Sequence, residues 1–221
     1  MDSQNLVVVG LGNPGSRYDG TRHNIGFAVA DALNQCSKSK SWADVAAEAL
    51  AFSADALSGR LDQRGWSVKG DRFEAPFSFC GVAGYLIKPR TFMNRSGEPL
   101  REFLSFRKIP LSSVIVIHDE IDIPVGQLRL KVGGGEGGHN GLRSIVTACG
   151  GKDFGRIRVG VGKPPPESPL LASEDGIAKW VLSRYTADER GSVETLVGRS
   201  AAAVLCLALE GLATAQNRFN S

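Results

Sequence analysis

The feature that most constrains this chain is one stretch, VIVIHDEIDIPVGQLRLKVGGGEGGHNG, at residues 114–141. It opens on an unbroken apolar run at 114–117, the signature of a strand buried on both faces. That run stops at His118, Asp119 and Glu120. Charged groups therefore stand where a central strand meets its loop, the edge of an open α/β sheet at which ligands bind. A second apolar-alternating run at 127–132 predicts another strand. Between residues 133 and 141 come six glycines, broken only by Glu136, His139 and Asn140. Packing has no use for so many glycines together. They suit a backbone that turns sharply or lets another molecule approach closely. Apolar periodicity resumes at Leu142. This puts His139 and Asn140 near a helix N-terminus, where free backbone N–H groups favour anionic ligands.

Around this stretch the remaining sequence reads as alternating strands and helices. Residues 6–10 form a short apolar strand, followed by the tight turn of GLGNPG and a predicted helix at 25–33 entered through Thr21, Arg22, His23 and Asn24. GLGNPG is not a dinucleotide cradle. Its glycine spacing differs from GxGxxG, and Pro14 lacks an N–H that a phosphate would need. Strands are expected at 77–79 and 82–87, with a hairpin turn at Lys69-Gly70-Asp71. Thr91, Phe92, Met93 and Asn94 form a strand-exit loop, and Ser96 is placed to cap a helix reaching about Arg107. Further helices are expected at 142–149, ended by Gly150-Gly151, at 173–182, and from the capping-box spacing of Thr186 and Glu189 to about Leu212. A strand is expected at 156–161 and a Pro-rich mobile loop at 163–169. The least legible region is 37–74, where Leu50, Ala54, Leu57 and Leu61 recur at helical spacing. With neither repeats nor a composition boundary, the expectation is one α/β domain over residues 1–221. Its twisted mixed sheet would be largely parallel, with helices on both faces.

Composition narrows the class of function. The 221 residues are 42% hydrophobic and 22% charged, ordinary for a soluble globular chain. A net charge of +3 neither demands nor excludes nucleic acid, so the distribution of charge matters more. Cys36, Cys80, Cys149 and Cys206 are far apart and lack CxxC spacing, which suits reduced thiols rather than a disulfide frame or zinc site. The opening MDSQNLVVVG has no basic leader, and its apolar run is too short to span a membrane. A cytoplasmic protein is expected.

The chemistry-bearing residues converge on the strand exits. If the first strand neighbours the one ending at Asp119, then His23 and Asp119 form a pair at one sheet edge. A carboxylate raises an imidazole's pKa and fixes its tautomer, so the pair can act as a general base on water. No GxSxG elbow is present and no cysteine stands beside a histidine, so a nucleophilic triad is not expected. His118, Asp119, Glu120, Asp122 and His139 could be read as metal ligands. However, HExxH and His-x-His spacings are both missing. Asn13, Asn94 and Asn140 lie in loops assigned to the same edge and could donate to a carbonyl or its oxyanion. Arg22, Lys88, Arg90, Arg129, Lys131, Arg156, Arg158 and Lys163 flank these loops and would suit a phosphate backbone.

GLGNPGSRYDGTRHNIGF, KPRTFMNRSG, HDEIDIPVGQLRLKVGGGEGGHNGLRS, FGRIRVGVGKP and the closing TAQNRFN resemble the bacterial-type peptidyl-tRNA hydrolases. The resemblance runs from about Leu6 to Asn220, excluding 37–74, a segment longer than the family's usual hairpin there. It implies hydrolysis of the ester between a peptide carboxyl and the terminal ribose of tRNA, with no metal or organic cofactor. By the same resemblance His23 is the base, and Asp119 orients it. Asn13 distinguishes N-blocked from free aminoacyl groups, and Asn94 and Asn140 hold the substrate end. Tyr18 and Phe92 line the tRNA-end site, Lys131 and Arg158 gather phosphates, and His139 supports its neighbour Asn140. The implied partner is peptide-bearing tRNA, met by a monomer away from membranes. One alternative is a non-enzymatic RNA-binding or splicing-type protein on the same scaffold, and another is a small-molecule esterase or amidase using the same base.

Overall fold

The computed structural model describes residues 5–36, 44, 65–79 and 81–220. The helix expected around Leu50 to Leu61, and Cys80, lie outside them. Seven strands form one sheet: β1 (Leu6–Gly10), β2 (Ser67–Lys69), β3 (Arg72–Phe79), β4 (Val82–Pro89), β5 (Val114–Glu120), β6 (Leu128–Val132) and β7 (Gly155–Gly160). Their order is β2-β3-β4-β1-β5-β7-β6. The central strands β4, β1, β5 and β7 are parallel, while β2 and β3 on one side and β6 on the other are antiparallel. The expected α/β architecture with a mixed, centrally parallel sheet is therefore present.

Among the described residues, the α-helices include α1 (Ile25–Gln35), α2 (Gly97–Arg107), α3 (Asn140–Cys149), α4 (Gly176–Val181) and α5 (Ala187–Phe219). Two apolar layers separate on the two faces of the sheet, as period-two alternation requires. Leu6, Val8, Ile115 and Ile117 pack with Ile25 and Val29 of α1 and Leu196, Val197 and Val204 of α5. Val7, Val9, Val114 and Val116 pack instead with Leu100 and Phe103 of α2 and Leu142 and Ile145 of α3.

Chain direction then sets up the site. β1 lies between β4 and β5, and the helices that follow β1 and β4 lie on opposite faces. The chain thus reverses its winding around β1, and loops from three adjacent strands open at one edge. α1 sits close against β1 because Gly10 and Gly26 meet: a Cβ on Gly10 would lie 2.3 Å from the Gly26 carbonyl oxygen. A Cβ on Gly26 would lie 2.5 Å from the carbonyl oxygen of Ile117. No side chain fits either gap, and the approach brings the residues before α1 beside β5.

Local signals were honoured with some shifts. The capping box at Thr186 and Glu189 is formed, and Gly150, with φ 73°, ends α3. Ser96 precedes α2 but does not cap it, because its hydroxyl donates to the Met93 carbonyl. β5 continues through the charged residues to Glu120, since His118 and Asp119 are buried and pair with β7. α5 runs past Leu212 to Phe219, broken at Gly211 by non-helical backbone with φ 82°. Beyond the break, Gln216 donates to the Leu130 carbonyl and Asn220 accepts from the Leu130 N–H, closing the open edge of β6.

Candidate active site

Asp119 is where the site is built. It is the penultimate residue of β5, at 4% exposure, and its Oδ1 receives two imidazoles: His23 Nδ1 at 2.8 Å and His139 Nε2 at 3.0 Å. All three histidines gather here, with ring centroids 5.2 Å apart for His23 and His139 and 5.0 Å for His118 and His139. Since β1 does neighbour β5, the expected His23–Asp119 pair forms.

Hydrogen bonds fix the tautomers. His139 is the residue before α3, and its Nδ1 accepts from the backbone N–H groups of Gly141 and Leu142. Its proton therefore sits on Nε2 and points at Asp119. His118 donates from Nδ1 to the Asp119 carbonyl, and full burial first, then the neighbouring His139 ring, pulls its pKa to about 3. His118 is thus a neutral packing residue. His23 donates from Nδ1, which leaves Nε2 as the basic atom of the cluster. Burial works against an imidazolium at His23, but the charge and hydrogen bond of Asp119 outweigh it and raise the pKa above its ordinary value. Burial would likewise raise Asp119, and the His23 and His139 imidazoles overcome it, holding the carboxyl well below the usual carboxylate range. The opposite shifts keep Asp119 charged whenever His23 titrates.

Loops from the neighbouring strands complete a cleft of about 460 Å³. After β1, the Asn13 backbone N–H donates to Asn24 Oδ1 at 2.8 Å, and Asn24 Nδ2 donates back to the Asn13 carbonyl at 3.0 Å. The Met93 N–H donates to Asn13 Oδ1 at 2.8 Å, so the Asn13 Nδ2 hydrogens are its donors to anything in the cleft. Asn94 follows β4 and Asn140 opens α3, both exposed at the rim. Phe92 is 51% exposed beside them and meets Tyr18 edge-on at 6.3 Å. Across from these polar groups stands an apolar wall from α4 and its end, made of Ile177, Ala178, Val181 and Leu182.

The glycine run serves its expected purpose. Gly133, Gly134, Gly137 and Gly138 all have positive φ, which only glycine adopts freely. Arg156 ties this loop down by donating to the carbonyls of Gly135 and Gly134 at 2.6 and 2.8 Å. Lys131 lies over Gly134, where a Cβ would come within 3.0 Å of its Nζ. Burial and then the like charges of Arg156 and Arg158 lower the Lys131 pKa, against the opposing influence of Glu120. Arg158 is half-buried and also pairs with Glu120 at 3.0 Å.

Three of the eight cations expected to face a phosphate backbone do not. Arg22, Lys88 and Arg156 are each at most 1% exposed. Lys88 pairs with Asp31 beneath the Trp66 ring, and Arg22 pairs with Glu189. A buried cation without a partner is costly, so each is committed to holding the fold. Sequence reasoning missed that His139 bonds Asp119 and that α4 supplies a wall. The position of His139 ahead of an apolar-periodic segment could have signalled its capping role, while nothing local marks α4. A cysteine nucleophile is not supported: burial pushes the Cys149 thiol up to about 11. His23, Asp119 and His139 could together hold a metal ion. The lone pair that His139 would need at Nε2 is, however, replaced by a proton as long as two backbone N–H groups occupy Nδ1.

Comparison with known proteins finds relatives across the chain. The family model described as peptidyl-tRNA hydrolase matches residues 7–221. The chain is similar to the peptidyl-tRNA hydrolases of Mycobacterium avium and Mycolicibacterium smegmatis, each 41% identical over 216 residues, covering 98% of this chain and 97% of theirs. Among solved structures it is similar to peptidyl-tRNA hydrolase from Acinetobacter baumannii, with TM-score 0.77 and 30% identity over 100% of this chain and 96% of that one. A complex of a peptidyl-tRNA hydrolase with N-propanol aligns with TM-score 0.76 at the same identity. The chain belongs to the peptidyl-tRNA hydrolase family.

Proposed function

We propose that this hydrolase cleaves the ester between a peptide carboxyl and the 3′-terminal ribose of tRNA, using water activated by His23 and Asp119. The observation that carries the reading is the 2.8 Å contact of His23 Nδ1 with Asp119, which leaves Nε2 free as the base. Water attacks the ester carbonyl carbon while Nε2 takes its proton. The oxyanion that develops accepts from Asn13 Nδ2, a contribution of about 3 kcal/mol for one well-aimed donor. Collapse breaks the bond to the ribose oxygen, which takes the proton back from His23. Peptide carboxylate and a free tRNA hydroxyl result. The buried network around Asn13 supports this role, since its donor is fixed before substrate arrives.

Around that centre, Asn94 and Asn140 hold the substrate end, with His139 supporting Asn140, and Phe92 with Tyr18 offers faces for the terminal bases. Lys131 and Arg158 receive acceptor-stem phosphates. The same reading needs no metal, because the tautomer of His139 opposes one. It also has the chain working in the cytoplasm as a monomer. α5, the one described helix long and apolar enough to cross a membrane, has 61% of its most apolar stretch buried. The retained base and its ordered partners favour catalysis over a non-enzymatic RNA-binding role. The deciding assay compares N-acetyl-aminoacyl-tRNA with unblocked aminoacyl-tRNA. Cleavage of the first and sparing of the second is expected, and failure to cleave the blocked substrate would refute the reading.

The phosphate role yields its own expectation. Lys131→Ala removes one cation and should raise KM while leaving kcat unchanged. The log–log slope of affinity against salt should become shallower by about 0.7–0.9, the effect of one lost phosphate contact. An unchanged slope, measured by titrating tRNA across ionic strengths, would take Lys131 out of this role.

A further inference from the structure

We propose that Arg22, the residue before the base, is a positioning residue that fixes His23 relative to the apolar wall of the cleft; the assignment rests on the hydrolase reading above. The side chain is 1% exposed; both terminal nitrogens are engaged, while Nε is buried without a hydrogen-bond partner. One terminal nitrogen donates to the Arg184 carbonyl at 2.6 Å. The other donates to both oxygens of Glu189 at 2.7 Å. Its guanidinium carbon lies 3.9 Å from the Trp180 ring centroid and 4.7 Å from that of Tyr185. A planar guanidinium can reach the Arg184 carbonyl and the Glu189 carboxylate with separate nitrogens while lying against the rings, which the single ammonium of lysine cannot do.

The latch joins parts that sequence leaves far apart. The backbone repeats the connection, with the Arg22 N–H donating to the Ser183 carbonyl and Thr21 bridging to Arg184. Glu189 receives Arg22 while also closing the capping box that starts α5. Trp180 belongs to α4, and its indole N–H reaches back to the Gly162 carbonyl beyond β7 at 2.7 Å. α4 has only six residues, far too few to hold a position by its own helical stability. Its cleft-facing residues Ile177 and Val181 therefore stand where Trp180 and Arg22 put them. Since His23 is the next residue, one guanidinium sets both the base and the opposite side of the cleft.

The test uses Arg22→Lys, which keeps the charge and loses the stack and the fork, and Trp180→Leu, which removes one ring and leaves the Arg22–Glu189 pair. On N-acetyl-aminoacyl-tRNA, Arg22→Lys should lower kcat about tenfold, because sub-ångström misplacement of a base is expensive in rate. Trp180→Leu should lower it about threefold and raise KM, as the wall loosens. Affinity for deacylated tRNA and the acid-limb pKa of kcat/KM should stay at parent values, because the phosphate contacts and Asp119 are untouched. A purely structural role would lower the melting temperature and leave kcat within twofold of the parent below it, which overturns the assignment. Should Arg22→Lys fail to fold, Trp180→Leu decides on the same two outcomes. A parent chain unable to cleave this substrate would overturn the hydrolase reading and this assignment with it. An active parent with equally active variants overturns this assignment alone.

Discussion

Replacing His23 with alanine should lower kcat roughly 10³-fold, the usual span for losing a positioned general base. It should leave binding of deacylated tRNA almost untouched. The separation follows from geometry: His23 meets Asp119 and the cleft, whereas Lys131 and Arg158 lie on β6 and β7 across the sheet face. Folding should survive, since His23 is only partly buried and sits in a single 3₁₀ turn ahead of α1. Rates measured in single turnover with blocked aminoacyl-tRNA, beside a binding titration, separate the two effects. A variant that retains activity within tenfold would remove the imidazole from the base role, and one that loses tRNA affinity in proportion would make it a binding group instead.

Parts of the candidate site were legible in sequence because they carry local signatures. The run at 114–117 with charges at its end predicted a strand presenting Asp119, and the glycines predicted backbone that only glycine adopts. The pairing of His23 with Asp119 was legible only conditionally. It requires β1 beside β5, a fact carried by long-range packing through Gly10 and Gly26 and by no periodicity in either segment. The buried cations were read wrongly for a related reason. Arginine or lysine beside a loop looks solvated, and only tertiary structure supplies Glu189 for Arg22, Asp31 for Lys88, and the glycine-loop carbonyls for Arg156. α4 appeared as a helix, but its apolar residues gave no sign of lining a cleft rather than the core. Ile177 and Leu182, each 40% exposed, differ from core residues only in what lies opposite.

Asp119→Asn should lower kcat by roughly 10²–10⁴-fold and also move the pH at which the residual activity appears. The base works only when neutral, so kcat/KM in the parent should rise with pH along an acid limb set by His23. Asp119 raises the His23 pKa through its charge and hydrogen bond, so that limb should lie above the imidazole's ordinary 6.5. An asparagine keeps the shape and can still accept from His23 Nδ1, but the charge is gone. Burial, which opposes the imidazolium, is then the dominant influence left, and the limb should move to below 6.5. Stability shifts in the same experiment with a definite sign. His23 has a raised folded-state pKa, so in the parent its pairing stabilises fully below 6.5 and fades as pH rises through that raised value. The Asp119 contribution is present above 3.8 and disappears only as pH falls through its depressed value. The variant loses both, so its deficit in melting temperature should be larger at pH 5.5 than at pH 8.5. A residual acid limb that stays where the parent has it, with a pH-independent stability deficit, would mean that the carboxylate only fills space beside the two imidazoles.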